Sequence, residues 1–350
     1  MGKRITIKDI ARLAGVSVGA VSTAFSKKNS NVHLSEATRE KIFRIARENS
    51  YIPNIAARSM QTKKSYLLGF FYKMENSYLT TNILRGIRKI CMKYDYDIIV
   101  YPCESLEDEK HNLETLHVNQ LDGIITIPVL EDGKTNEALY RKIAQQGIPV
   151  VQILADLWSD IAMIGRDYPY IGYHAVKELY EKGHRHIGTV IFHNYMDRKT
   201  GLNSALLMDG IKLGAEKFGV RIEIFPLAPC NSLQSYFQMA ERATEKILQE
   251  RDCPSALIAA SGRLAYGIYS CLNRHNLRVP EDVSLLACGD DSEQFSLLAL
   301  NLSYFSVELE QIGILSAQYC LEREKNFPLK QLLVSPFCEG DTICQKITTD

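Results

Sequence analysis

Apolar residues recur at helical spacing in a short segment near the start of the chain. The four that share one helix face, at positions i, i+3, i+4 and i+7, are Ile7, Ile10, Ala11 and Ala14. Thr6 and Asp9 have the spacing of a capping box, in which each side chain accepts a hydrogen bond from the other residue's backbone amide. Gly15 supplies the left-handed residue at which many helices end. The pattern predicts a short helix between Thr6 and Gly15.

Two further helices are predicted directly after the first. Ser17 can cap the second helix, and the third begins near Ser35. Their inward-facing apolar residues, three in each helix, are Val21, Ala24, Phe25, Ile42, Ile45 and Ala46. A glycine turn between two short helices, with a third that closes a small core, is typical of the helix-turn-helix, whose second helix enters the DNA major groove. An ordinary helical hairpin is the alternative interpretation.

From residue 67 onward, short apolar runs alternate with helical patterns. The eight runs that indicate strands are 67–72, 98–101, 123–127, 149–154, 187–192, 220–225, 256–260 and 283–288. Nearly continuous aliphatic and β-branched runs are expected of parallel strands buried on both faces. The predicted fold class is therefore α/β, with a two-lobed body of doubly wound parallel sheets behind a small all-α head. The break between the lobes is expected near residues 156–166.

Charge divides the chain at about residue 64. The whole chain has 41 basic and 41 acidic residues, and residues 1–64 hold 13 of the first and only 4 of the second, a net charge of +9. The remaining residues therefore carry a net charge of −9. Lys and Arg release counterions from phosphate, so a basic head on an acidic body is the balance expected of a DNA-binding protein.

Neither the cysteines nor the apolar segments indicate export or membrane insertion. The nine cysteines form no C-x-x-C pair, and several lie in apolar runs, which favours buried, reduced thiols. The first residues lack an apolar leader segment, and no run of about 18 apolar residues occurs. We therefore expect a cytoplasmic protein.

The motifs of common α/β enzymes are missing from the sequence. No G-x-G-x-x-G follows the first predicted strand, and neither G-x-S-x-G nor H-E-x-x-H occurs. Gly183 and Gly188 have the spacing of a phosphate-binding loop, but Thr189 stands where that loop requires Lys. His184 and His186 are possible metal ligands, although a turn into the next strand is the simpler interpretation. We expect no enzymatic activity, cofactor or metal.

The helix-turn-helix head, the Y-x-P-N segment at 51–54 and the two-lobed body together resemble the lactose-repressor family of transcription regulators. The resemblance spans roughly residues 5–342, strongest in 6–26, 38–42 and 51–54, with weaker likeness in 148–151, 183–188 and 279–284. It implies a DNA-binding domain over 1–64 and an effector-binding and dimerisation domain over 65–345. The lobes would span about 65–160 and 165–300, with the late chain crossing back.

The resemblance also implies a function. Such a regulator binds a near-palindromic operator as a homodimer and responds to a small-molecule effector between its lobes. We expect such a regulator to repress transcription by occupying the operator, and activation of transcription is the alternative. A small-molecule binding receptor without a DNA function is the alternative; it accounts for the body but not for the basic head.

The resemblance assigns roles to residues of the head. Base edges would be read by Val18, Gly19 and Thr23, and phosphates would be held by Ser17, Ser22, Ser26, Thr38, Tyr51 and Asn54. Val18 and Gly19 lack side-chain hydrogen-bonding groups, so the bidentate contacts that usually read bases are unavailable at these two positions. Val18 can instead pack on a thymine methyl group, and Gly19 can permit close approach.

A hinge helix is expected over residues 54–62. In the family, paired hinge helices enter the minor groove and wedge a base step open; the residues that match are Ala57, Arg58 and Met60, with Met60 as the wedge. A helix this short is unstable alone in water, so we expect it to fold on DNA. A plain flexible linker is the alternative.

The effector site departs from the family's sugar binders. They place an Arg three residues before a Gly, an Asn-Asp pair after one strand and an Asp after the next; the matching residues here are Leu207, Ser261, Gly262 and Gly289. Arg198 and Asp290 are possible substitutes for the missing polar anchors. Tyr72, Tyr78 and Trp158 are candidate aromatic walls, and a core or surface position is the alternative for each. The departures predict an unusual carbohydrate, a non-sugar metabolite, or no ligand.

Overall fold

The computed structural model describes residues 5–25, 34–51, 59, 62–74, 77–115, 120–227, 233–289, 300–322 and 325–346. The first three helices, α1 (Ile7–Ala14), α2 (Val18–Phe25) and α3 (Glu36–Glu48), form the predicted small core. The Thr6 amide donates to the Asp9 carboxylate at 3.0 Å and the Asp9 amide donates to Thr6 Oγ1 at 3.4 Å, so the capping box is present. Gly15 ends α1 at a φ of 66°.

Two six-stranded sheets form the body. The first is parallel throughout, with the spatial order β11 (Lys330–Leu333), β5 (Ala162–Arg166), β4 (Val150–Ile153), β3 (Gly123–Ile127), β1 (Leu67–Lys73) and β2 (Asp97–Cys103). The second has the order β12 (Phe337–Cys338), β10 (Ser303–Phe305), β9 (Ser284–Ala287), β8 (Ala256–Ala259), β6 (His186–Ile191) and β7 (Arg221–Pro226). Only β12 in this sheet is antiparallel to its neighbour.

Helices cover both sheets. Those of the described body are α4 (Ser77–Tyr94), α5 (Leu106–Glu114), α6 (Glu137–Gln145), α7 (Tyr168–Glu181), α8 (Leu202–Phe218), α9 (Leu233–Gln249), α10 (Gly262–Arg274) and α11 (Leu309–Leu321). Each of the eight predicted apolar runs overlaps a strand, and the α/β class with two parallel-sheet lobes is confirmed. The chain passes between the lobes after β5, after β10 and after β11.

The first sheet continues past the expected break, because β5 lies within the region 156–166. The eight-residue connection from β4 to β5 contains no helix. The buried Gln152 side chain organises it instead: its amide nitrogen donates to Trp158 O at 2.6 Å and to Ile161 O at 3.0 Å, and its oxygen accepts from the Leu157 amide at 2.9 Å. In the absence of a helix, which would pair its own backbone groups, this one side chain supplies hydrogen-bond partners for the backbone of the connection.

The sequence also allows predictions about thiols and membrane spans. All eight described cysteines are free thiols, and five of them are buried. In the part of the chain that the structure describes, no helix combines the length and the apolar character needed to cross a bilayer.

His184, at the turn before β6, is a structural residue of the second lobe. It is 1% exposed; its Nδ1 lies 2.8 Å from Ser255 Oγ, and its Nε2 lies 3.1 Å from Ser284 Oγ. Ser255 directly precedes β8, and Ser284 begins β9. The ring therefore connects the amino ends of neighbouring strands in the second sheet. Burial lowers the pKa of His184 below its ordinary value of 6.5.

The His184→Gln variant is expected to lose stability and part of its pH dependence. A depressed folded-state pKa means that the unfolded chain binds the proton more readily, so the stabilisation is present above the ordinary pKa and is lost as the pH falls below it. We expect a loss of about 1–3 kcal/mol at pH 8 and a smaller difference between variant and wild type at pH 5. Thermal unfolding across this range is the measurement, with exposed His111→Gln as the control; a constant difference across pH would contradict it.

Candidate DNA-binding head and effector cleft

One face of α2 is buried and the other is open. Val21 and Ala24 pack into the head core, whereas Ser17, Val18, Gly19 and Ser22 are exposed, Val18 by 41%. Thr23 is half-buried beside them. The structure thus brings the three predicted base-reading residues together with two of the predicted phosphate contacts on a single surface.

Nothing in the described part of the chain requires glycine at position 19. A Cβ added there would meet only Ser17 Oγ, at 3.7 Å, which is ordinary contact. Gly19 also lies inside a helix, where glycine is less favourable than alanine by up to about 1 kcal/mol. Packing of the head core therefore does not explain the glycine. What glycine changes is the outer surface of α2, where it leaves no side chain.

Three of the predicted phosphate contacts in the described head lie near its helix ends. The Ser17 hydroxyl accepts a hydrogen bond from the Ala20 amide at 3.1 Å, and Thr38 Oγ1 lies 2.8 Å from Ser35 Oγ. Tyr51 packs edge-on against Phe25, with ring centroids 5.7 Å apart, and burial raises the pKa of Tyr51. Each side chain is thus held in place by the head itself.

Several predicted DNA contacts fall outside the described residues. They are Ser26, Asn54, Ala57, Arg58 and Met60. The chain is described again where it enters the body, and the backbone amides of Ser65 and Tyr66 there donate to the two oxygens of Asp122, each at 3.0 Å. This carboxylate fixes the end of the segment that leads from the head.

A cleft of about 510 Å³ opens between the two lobes. Its walls are the residues that follow the carboxyl ends of β3, β4, β6, β8 and β9, together with the amino ends of α8 and α10. In open parallel sheets, ligands bind outside the carboxyl ends of the strands. Two sheets that face each other in this way make the cleft the candidate effector site.

The positions matched to the family's sugar anchors lie in this cleft. Leu207, Ser261, Gly262 and Gly289 all line it. The side chains available there are one leucine and one serine, so the polar anchors expected of a sugar binder are absent at these places.

Four of the five candidate effector-binding residues named from the sequence are described, and all four lie outside the cleft lining. Tyr72 and Tyr78 pack against the core of the first lobe, and Arg198 forms an exposed ion pair with Asp209. Trp158 is a core residue at 2% exposure, and its Nε1 donates to Thr135 Oγ1 at 3.2 Å. None of the four is among the residues that line the cleft. Asp290 lies outside the described residues.

The aromatic walls are instead residues that the sequence interpretation missed. Tyr168, Phe192 and Tyr236 line the cleft, as does Arg166. Phe192 ends a predicted strand, so its position at a carboxyl end was an available signal. Arg166 had no such signal, because β5 itself was not predicted.

One group of metal-ligand type occurs within the described ranges. Ligand atoms of Glu245, Cys271 and His275 lie within 4.8 Å of one another. Arg274 pairs with Glu245 at 3.6 Å, and burial raises the pKa of the Cys271 thiol. A neighbouring cation and a protonated thiol both oppose metal binding, so we assign no metal to this group.

Comparison with known proteins accounts for both parts of the chain. The family described as bacterial regulatory proteins, lacI family, matches residues 6–54, and the periplasmic binding protein-like domain matches residues 176–343. The chain therefore combines a lacI-family DNA-binding domain with a periplasmic binding protein-like body. It is a DNA-binding transcriptional regulator and not an enzyme.

Curated relatives and solved structures extend the likeness along the chain. The ribose operon repressor of Haemophilus influenzae is 26% identical over 95% of this chain and 96% of its own, and catabolite control protein A of Priestia megaterium is 26% identical over 84% of each. The Lac repressor dimer bound to operator and the anti-inducer ONPF superposes with a TM-score of 0.74 at 22% identity, covering 98% of this chain and 100% of that one. A lacI-family regulator from Enterococcus faecium with bound ribose gives 0.65 at 19% identity, covering 80% and 100%.

The Gly19→Ala variant is expected to separate folding from DNA binding. The added Cβ meets no obstacle in the head, so stability should stay equal or rise by up to about 1 kcal/mol. Binding to a selected operator fragment should weaken by about 1–3 kcal/mol, as for a mismatched base pair, because the methyl group fills the surface that approaches DNA. Thermal unfolding and fluorescence anisotropy are the measurements. Gly15→Ala is the control: its positive φ is unfavourable for alanine, so it should lose stability more than operator affinity. Unchanged operator affinity of Gly19→Ala would show that Gly19 is not part of the base-reading surface.

Proposed function

We propose that this regulator acts in the cytoplasm as a homodimer that places one α2 helix in the major groove of each half of a near-palindromic operator. Val18, Gly19 and Thr23 read base edges there, which their position on the outer face of α2 supports. Phosphates are held by Ser17, Ser22, Ser26, Thr38, Tyr51 and Asn54. The exposed face of α2 on a head of net charge +9 is the observation that carries the proposal.

The hinge supplies a second DNA contact. Ala57, Arg58 and Met60 enter the minor groove, where Met60 separates a base step as an apolar wedge. Lys63 and Lys64, both exposed, follow directly and immediately precede Ser65, whose backbone amide donates to Asp122. Their charges attract the adjacent phosphates and hold the hinge against the duplex.

The cleft between the lobes receives a small-molecule effector that controls this contact. Two hydrogen bonds already cross from lobe to lobe beside the cleft: Asn203 Nδ2 to Leu154 O at 3.1 Å, and Arg166 Nη2 to Cys288 O at 2.9 Å. A ligand that favours one arrangement of the lobes shifts their equilibrium, and with it the spacing of the paired hinges. Occupancy of the operator then represses transcription.

Selection of genomic fragments by the full-length protein tests this function. The recovered fragments should share an inverted repeat, and affinity should fall steeply as salt rises. Neutralising Lys63 and Lys64 together, as Lys63→Gln with Lys64→Gln, should reduce the salt slope by up to about 4 in the dimer, about one for each lost phosphate contact.

Lys212→Gln with Lys217→Gln is the matched control, because it removes the same charge from exposed positions of α8. This control should leave the slope near that of wild type. Recovery of no fragment, or a flat salt response of the wild type, would contradict the proposed function.

Thr23→Val tests base reading directly. Valine keeps the shape of threonine but removes the hydroxyl group, so preference should relax at one position of each half-site, with a cost of about 1–3 kcal/mol for the preferred base. Repeating the fragment selection with the variant measures this preference. A uniform loss of affinity across all sequences would show that Thr23 contacts the backbone instead.

A further inference from the structure

Arg166 places a buried positive charge in the wall of the cleft. It ends β5 and is 7% exposed. Its Nε donates to Ser335 Oγ at 3.3 Å and its Nη2 donates to Cys288 O at 2.9 Å, both neutral acceptors. No described carboxylate lies within ion-pair distance of it. Burial of a charge without a counter-charge is unfavourable, so the site is suited to a partner that brings a negative charge.

The described lining of the cleft contains no Asp or Glu, whereas it contains both Arg166 and Arg263. Two carboxylates near the cleft in sequence have partners of their own outside its lining. Asp209 pairs with Arg198, and Asp197 accepts from Thr200 Oγ1 at 2.6 Å. The charged side chains of the described walls are therefore all of one sign.

Gly289 leaves open the space beside the guanidinium. A Cβ placed on it would lie 3.9 Å from Arg166 Nη1 and 3.8 Å from the Gly262 amide nitrogen. Gly262 is the first residue of α10, a helix of 13 residues whose positive end faces this point. One small space is therefore bordered by a guanidinium nitrogen and a backbone amide nitrogen, the two kinds of donor that hold carboxylate and phosphate groups.

We propose that the effector is a small organic anion, a carboxylate or a phosphate ester, whose charged group lies between Arg166 and the start of α10. The proposal rests on the proposed function in taking the cleft as the effector site. Because Arg166 belongs to the first lobe while Cys288 and Gly262 belong to the second, the anion contacts both lobes at once. Binding therefore favours the arrangement in which the two lobes hold it together.

Matched pairs of ligands test the charge requirement by calorimetry and thermal shift on the full-length protein. The pairs are D-glucuronate with D-glucose, D-galacturonate with D-galactose, and D-ribose 5-phosphate with D-ribose, and inorganic phosphate is added as the smallest probe. At least one anion should bind while its neutral counterpart does not. The pairs also distinguish carboxylate from phosphate as the preferred group.

Two variants locate the anion. Arg166→Gln should weaken binding of the active anion by about 10- to 100-fold, the range for a hydrogen bond to a charged group. Gly289→Ala leaves Arg166 intact and makes only ordinary contacts of 3.5–3.9 Å, so it should fold normally yet weaken the same anion by occupying its place. Arg198→Gln, an exposed arginine outside the cleft, should bind like wild type.

Three results would overturn the proposal: equal binding of a neutral counterpart, full binding by both cleft variants, or no binding of any anion, inorganic phosphate included. Operator binding is measured separately on the same proteins. Anion binding by a protein that binds no DNA would leave the anion site in place and refute the regulatory function. DNA binding without anion binding would support the regulatory function and refute the anion site.

Discussion

The hydrogen bond from Arg166 to Cys288 O joins the two lobes at the edge of the cleft. Its donor ends a strand of the first sheet, and its acceptor follows a strand of the second. A buried guanidinium is costly unless its donors are satisfied, and two of its nitrogens find neutral acceptors only where the lobes meet. The relative position of the lobes and the chemistry of the cleft therefore depend on the same side chain.

Local sequence explains how much of the fold could be predicted. The head follows from contacts within a few residues, such as the Thr6–Asp9 capping box and the turn at Gly15. The eight apolar runs form strands because parallel strands bury both faces. By contrast, β5 depends on the Gln152 amide, which pairs with backbone groups between 157 and 161. No periodicity encodes that arrangement, and β10 to β12 are too short to show any.

The candidate site divides in the same way. Leu207 and Gly289 lie in the cleft as expected, because their backbone positions follow from the fold. Side-chain direction does not follow from it: Trp158 turns into the core beside Tyr140, with ring centroids 4.9 Å apart, while Arg166 turns toward the cleft. Packing between elements distant in sequence decides such choices. The sequence therefore predicted the place of the cleft, whereas the side chains of Tyr72, Trp158 and Arg198 lie outside its described lining.

The strand β3 links the cleft to the point at which the chain enters the body. Asp122, which precedes it, holds the amides of Ser65 and Tyr66, and Pro128, which follows it, lines the cleft. A buried central strand moves as a unit because its neighbours on both sides pair with it. A shift of β3 at the cleft end therefore also moves the Asp122 anchor that holds Ser65 and Tyr66. In the proposed function, Val18 and Gly19 offer no side-chain hydrogen bonds to bases, so operator affinity would rest heavily on phosphate and hinge contacts, and these are the contacts that a displaced anchor would change.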